Sequence, residues 1–167
     1  MNTSQVSVFH EILFNRTDQL VYAILDGASF GNLASYLNHY QAEYVCLYRG
    51  ELAADIAAVA PYLVRLPAQA EVTAWVLSHI GQNYPGIFVL TSASMRELRK
   101  HFRKFLMIYD EDNQPVYFRY YDPRILRCYL PSCSAEEKQV LFGPVSHYYA
   151  ENEEGDQLLE FTLEGKY

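Results

Sequence analysis

Phe118-Arg119-Tyr120-Tyr121-Asp122-Pro123-Arg124-Ile125-Leu126 reads as a strand that passes without a loop into a helix. Pro115 to Tyr121 is rich in β-formers and alternates. Val116, Phe118 and Tyr120 fall on one face, and Tyr117, Arg119 and Tyr121 on the other. Asp122 offers a carboxylate to the orphan amides of the helix start, and Pro123 takes the first helical position, where a missing N–H costs nothing. Tyr121 and Leu126 are spaced for a hydrophobic staple. Arg119 and Arg124 bracket the junction. Spacing alone accounts for it as a well-specified corner holding one buried Arg–Asp pair.

Outward from that corner, strands alternate with helices. A first amphipathic helix is expected over Ser4–Phe14, with Val8, Ile12 and Leu13 on its apolar side. Leu20–Leu25 reads as a strand, Asp26-Gly27-Ala28-Ser29 as a turn, and Phe30–Tyr40 as a helix with Leu33 and Leu37 four apart. Glu43–Tyr48 and Pro61–Leu66 read as strands around a short Ala-rich helix, Glu51–Ala58. A helix over Glu71–Gly81 is expected to bury Trp75, Val76 and Ile80. The continuous apolar run of Gly86–Leu90 suits a central strand covered on both faces.

Ser94, with Glu97 three residues on, opens a helix running through Leu106. Its apolar side is Met95, Leu98, Phe102 and Phe105, and its other side is basic. Met107–Asp110 and Pro115–Tyr121 flank Glu111-Asp112-Asn113-Gln114 as a hairpin. Asp122–Leu130 and Ala135–Phe142 read as helices, and Ser146–Glu151 and Gln157–Leu163 as a second hairpin. The expectation is one α/β domain spanning 1–167. Its sheet is mixed, mostly parallel early with antiparallel hairpins late, and helices lie on both faces.

Composition narrows the function classes. The net charge of −7 argues against a general nucleic-acid binder. Nothing approaches a membrane span of ~20 apolar residues. The N-terminus lacks the basic start and apolar core of a signal peptide, which implies a cytoplasmic protein. Three cysteines, Cys46, Cys128 and Cys133, are odd in number and lack CxxC spacing, which fits a reducing compartment and no metal or disulfide role. Charge is segregated: Arg96, Arg99, Lys100, Arg103 and Lys104 cluster, and acidic residues dominate after Glu136. Such faces are solvated, or steer an oppositely charged partner.

Catalytic constellations are sparse. The five histidines form neither HExxH nor an HxH pair. There is no GxSxG elbow. Asp26–Gly31 follows a strand and precedes a helix, where backbone amides could cradle a phosphate, but the pattern is neither GxGxxG nor a Walker loop. There the structural reading gives Gly27 a left-handed turn. Asp110, Glu111 and Asp112 lie at a hairpin turn, where solvation explains them. No cofactor is expected. The positive signal is surface chemistry: twenty-four residues are Phe or Tyr. Tyr117, Tyr120, Tyr121, Tyr129, Tyr148 and Tyr149 cluster on strands expected to be exposed, and aromatic and Arg side chains are the usual interface anchors. Core packing could absorb many of these rings. A sheet edge at Gln157–Leu163 could also accept a partner strand, although its glutamates could equally prevent such pairing.

The wording of the corner resembles the FRfYDPRvL signature of the domain-of-unknown-function 4123 family (DUF4123), effector chaperones or adaptors of the bacterial type VI secretion system. Leu20–Ala28 resembles that family's opening strand and turn, and Ala60–Leu66 its "aPyLv.l" strand. Trp75 follows, His101-Phe102-Arg103 stands where "HLR" is usual, and Phe142-Gly143-Pro144-Val145 resembles "fGPi". The ordered matches run from about residue 20 to 145. Many relatives carry a further C-terminal lobe, whereas this chain ends soon after the shared domain.

The resemblance implies a non-enzymatic cytoplasmic adaptor. It would bind the N-terminal region of a cognate effector and help load it onto the VgrG spike, with no nucleic acid or membrane as partner. Arg119, Tyr120, Tyr121, Asp122, Pro123 and Arg124 would form the signature site, with Arg99 and Arg103 on the basic helix meeting the partner. Two other readings stay open. One is a small α/β enzyme acting on a phosphorylated or nucleotide-like substrate through the Asp26 loop. The other is an immunity protein covering the toxic domain of a neighbouring toxin.

Overall fold

The computed structural model describes residues 3–82 and 85–165. Among the described residues, eight strands and eight helices follow in the order α1 (Thr3–Phe14), β1 (Leu20–Asp26), α2 (Gly27–Phe30), α3 (Leu33–His39), β2 (Tyr44–Cys46), α4 (Ala54–Val59), β3 (Pro61–Arg65) and α5 (Glu71–Leu77). The second half continues with β4 (Gly86–Thr91), α6 (Met95–Phe102), β5 (Met107–Tyr109), β6 (Pro115–Tyr117), α7 (Pro123–Ser132), α8 (Ala135–Phe142), β7 (Val145–Glu151) and β8 (Leu158–Phe161). Among the described residues, no helix is long and apolar enough to cross a membrane.

Six strands form one sheet in the order β2-β3-β1-β4-β7-β8, and β5 and β6 form a separate two-stranded sheet. Every pairing is antiparallel, which corrects the mostly parallel first half expected from the sequence. The reason lies in strand order. The helical connections from β1 to β2 and from β3 to β4 do return the chain in its starting direction, as a crossover must. Each connection, however, skips a place, so β3 lies between β1 and β2, and β1 between β3 and β4. Helix–strand alternation sets direction without setting neighbours.

Alternation along the central strands divides the core in two, with helices on both faces as expected. Val21, Ala23 and Leu25 of β1 face a cluster with Phe9, Leu13, Leu33, Leu37, Val76 and Ile80, under α1, α3 and α5. Tyr22 and Ile24 face the opposite cluster with Leu98, Phe102, Leu126, Leu130, Leu141 and Phe142, under α6, α7 and α8. Strand β4 is buried along its whole length, as its unbroken apolar run requires.

Several local readings shift. Val8 is exposed, and Phe9 takes the core position on α1. Trp75 is only half-buried, packing on the rings of Phe30, Tyr36, Tyr40 and His79. Strand β6 stops at Tyr117, four residues short of the expected end. Of the six tyrosines expected on exposed strands, Tyr120, Tyr121, Tyr148 and Tyr149 are buried, while Tyr117 and Tyr129 are exposed. Burial is tolerated because phenols find partners: Tyr120 donates to the Phe102 carbonyl and Tyr148 to the Leu141 carbonyl. Gly27 does not adopt a left-handed turn; Gly31 does, at φ 73°. Gly27 is required by proximity instead, since a Cβ there would lie 2.5 Å from the Ala60 carbonyl oxygen.

Candidate functional site

The signature corner is built from two capped helix starts. Asp122 has extended backbone, its carboxylate accepts from the Arg124 amide at 2.9 Å, and Pro123 follows at the first helical position. Arg124 then folds back on its own cap. Its Nε reaches Asp122 Oδ1 at 3.0 Å and its Nη2 reaches Oδ2 at 2.7 Å, a forked pair. Burial works against the Asp122 charge, but the Arg124 hydrogen bonds and charge outweigh it and hold the carboxyl below its ordinary value.

Arg119 does not join that pair. Its guanidinium binds Asp26, which caps the start of α2 by accepting from the Ala28 amide at 3.1 Å. The corner therefore contains two Arg–Asp pairs where spacing suggested one. Both carboxylates are buried, at 4% and 6% side-chain exposure, whereas Arg119 and Arg124 are 44% and 55% exposed. Each aspartate is thus covered by an arginine whose outer face meets solvent. The Arg119 guanidinium carbon also stands 6.0 Å above the Tyr121 ring. Burial raises the Tyr121 phenol far above its ordinary value, and the neighbouring Tyr48 phenol and Asp26 carboxylate push it the same way.

The two arginines open onto a cavity of about 540 Å³ whose other walls include Ser29, Glu151, Glu153 and Glu154. Glu151 is buried and accepts from the Gly81 amide at 2.6 Å. Burial pushes its carboxyl up, against the Gly81 hydrogen bond and the nearby Arg127. Gly81 in turn crosses Gly155 so closely that a Cβ on Gly81 would lie 2.6 Å from the Gly155 carbonyl oxygen. Both have positive φ, and the crossing pins the β7–β8 turn against the end of α5.

The remaining expected site residues lie elsewhere. Arg99 is exposed on α6. Arg103, at the end of that helix, is half-buried and donates to three consecutive carbonyls: Leu47 at 2.8 Å, Cys46 at 3.2 Å and Tyr48 at 2.6 Å. It clamps the segment leaving β2. Asp26 and Tyr48 are the corner residues that reasoning from sequence missed as partners. Asp26 was legible as a strand end, but its arginine comes 93 residues later.

Chemically, the corner can hold backbone and present two guanidinium faces. Asp26 and Asp122 are each engaged by a helix-start amide and an arginine. Among the described residues no three His, Cys, Asp or Glu side chains are arranged to hold a metal ion. At Asp26–Gly31 the Ala28 amide is already bonded to Asp26.

The sequence pattern of the family described as "Domain of unknown function (DUF4123)" matches residues 21–139. Nothing among curated proteins and nothing among solved structures matches the chain.

Proposed function

This chain belongs to the DUF4123 family, and on that premise we propose that it is a non-enzymatic chaperone-adaptor of type VI secretion. In this reading it binds the N-terminal region of a cognate effector in the bacterial cytoplasm and helps load it onto the VgrG spike. One observation carries the reading. The charged groups of the signature hold two helix starts and each other, and the guanidinium faces of Arg119 and Arg124 open onto a broad polar cavity. A rigid corner with exposed arginines suits recognition of another polypeptide, and both aspartates are already engaged.

Co-expression with the products of the neighbouring effector and VgrG genes tests the proposal. The expected result is a complex that requires the effector's N-terminal region and joins the spike protein. Recovery of the chain alone overturns it. So does a complex formed only with the toxic domain, which is the behaviour of an immunity protein.

A further inference from the structure

The β5–β6 hairpin stands outside the six-stranded sheet and carries the most exposed large apolar side chains of its neighbourhood. Tyr109 is 68% exposed and Tyr117 65%, and Met107, Ile108 and Val116 are exposed beside them. A two-stranded ribbon is marginal alone and gains from a third strand. Its hydrogen bonding shows where one could join. Phe118 donates to the Leu106 carbonyl at 2.9 Å and Asp110 to the Gln114 carbonyl at 3.0 Å. In an antiparallel ladder these bonded pairs alternate with unbonded ones. The register pairs Met107 with Tyr117 and Tyr109 with Pro115, so the backbone groups of these four residues point away from the partner strand.

The two outer edges differ. On β6, Pro115 has no N–H to offer, a usual guard against pairing. On β5, Met107 and Tyr109 present both donor and acceptor, and among the described residues no hydrogen bond engages them beyond the hairpin. Side chains flanking that edge are apolar on both faces: Met107, Tyr109 and Tyr117 on one, Ile108 and Val116 on the other. The first face continues onto the Tyr48 ring, 5.3 Å from that of Tyr117, and so towards the signature corner.

Charge selects the occupant. Asp110 accepts from the Asp112 and Gln114 amides at 3.0 and 2.8 Å and shapes the tip, leaving Glu111 and Asp112 exposed at its end. We propose that the outer edge of β5 is a docking edge that takes up, by strand addition, an extended apolar segment of a partner polypeptide flanked by lysine or arginine. Main-chain hydrogen bonds to Met107 and Tyr109 supply the register, the two apolar faces bury the segment's side chains, and the acidic tip holds its basic flank. A second copy of the chain is a poor occupant, since it brings the same acidic tip and a net charge of −7. The inference deepens the adaptor reading and rests on it only for the kind of partner, a polypeptide.

The test uses the full chain and a labelled synthetic peptide of about ten residues, a Val/Ile/Tyr run with two lysines at each end. Fluorescence anisotropy is expected to show binding of this peptide and none of its twin with glutamates for lysines. Tyr109→Pro removes an outward N–H without touching a ladder bond, and is expected to weaken binding about tenfold or more. The double variant Glu111→Lys/Asp112→Lys is expected to weaken it comparably at low salt. Amide exchange by NMR adds a separate readout: the Met107 and Tyr109 amides slow on peptide binding, whereas Ile108 is protected already. Undiminished binding to folded Tyr109→Pro, equal binding of the glutamate twin, or no binding of either peptide overturns the inference. A dimer of the free chain that Tyr109→Pro abolishes also overturns it, in favour of a second copy. No effector enters the assay, so this inference and the adaptor reading can fail independently.

Discussion

Arg119 and Asp26, 93 residues apart in the chain, meet as an ion pair that ties the signature corner to the end of β1. The same carboxylate caps α2, so one buried group fixes a strand end, a helix start and the segment before α7. Substitution at either residue is therefore expected to act first on the relative placement of these elements.

Arg119→Ala leaves the Asp26 carboxylate buried without its guanidinium partner, while the Ala28 amide bond remains. Breaking a fully buried pair costs ~3–5 kcal/mol; because Arg119 is nearly half exposed, water screens the loss, and about 1–2 kcal/mol is expected. Urea unfolding measures it. In a double-mutant cycle Asp26→Asn is expected to cost less in the Arg119→Ala background than in the natural chain; strict additivity would contradict the pairing.

At the second pair the cap and the arginine separate. Asp122→Ala removes an N-cap and is expected to cost about 1–2 kcal/mol. Arg124→Ala leaves the cap intact and, on the adaptor reading proposed above, is expected to weaken effector capture with a smaller loss of stability. Undiminished capture in a pull-down with folded Arg124→Ala would remove Arg124 from the partner site. Because the folded Asp122 carboxyl sits below its unfolded value, its contribution is present above about pH 4 and is lost as pH falls through the folded value.

Gly27 and Gly31 carry different constraints and so different expectations. Gly27→Ala drives a Cβ against the Ala60 and Ala58 carbonyl oxygens, both backbone and unable to give way cheaply. Gly31→Ala meets open space and faces only its positive φ, a cost of about 1 kcal/mol. Thermal unfolding is expected to show a much larger loss for Gly27→Ala. Equal losses would restore a left-handed role to Gly27.

His101 gives a pH signature. It is buried beside Phe102 and Phe105, and its Nε2–H donates to the Leu141 carbonyl at 2.8 Å. Burial lowers its pKa, Lys104 acts in the same direction, and the Leu141 bond opposes both. Below about pH 6.5 the unfolded chain binds a proton that the folded chain resists, so the contribution of His101 is present above that pH and lost as pH falls through the folded value. His147 shifts in the same direction, whereas Glu151, raised by burial, is stabilising at low pH and loses that contribution as pH rises. Denaturant titrations from pH 7 to about 5.5 are expected to show a shallower decline in His101→Gln than in the natural chain, by on the order of 1 kcal/mol. Identical slopes would mean that the folded chain protonates the ring as readily as the unfolded chain does.

What the sequence makes legible is what neighbours in the chain decide. The Asp122–Pro123 helix start, the Ser94–Glu97 capping box and the buried run of β4 depend on residues within one turn or one strand, and all appear where spacing puts them. The order of strands does not, because β1 recruits β3 and β4 through packing that no local pattern encodes. The same holds at the site. The Arg124–Asp122 fork is a two-residue relationship and is readable, whereas the partner of Arg119 and the carbonyl clamp of Arg103 depend on which distant segments the sheet brings near. Buried and exposed tyrosines look alike in sequence; a nearby carbonyl, set by tertiary structure, distinguishes Tyr148 from Tyr117.

Arg99 and Arg103 share one helix and one charge, yet the structure gives them separable consequences. Arg103→Ala removes charge-assisted bonds to the Cys46, Leu47 and Tyr48 carbonyls and is expected to cost about 2–3 kcal/mol, discounted for its partial exposure. That change would loosen the segment carrying Tyr48 and report nothing about steering. Arg99→Glu leaves the clamp in place and reverses an exposed charge. If the basic face of α6 guides an acidic partner, stopped-flow association with the effector slows in Arg99→Glu at low salt, and the difference fades as added salt shortens the Debye length to ~8 Å and below. An association rate equal to that of the natural chain at every salt concentration would make the basic face a solvated surface and nothing more.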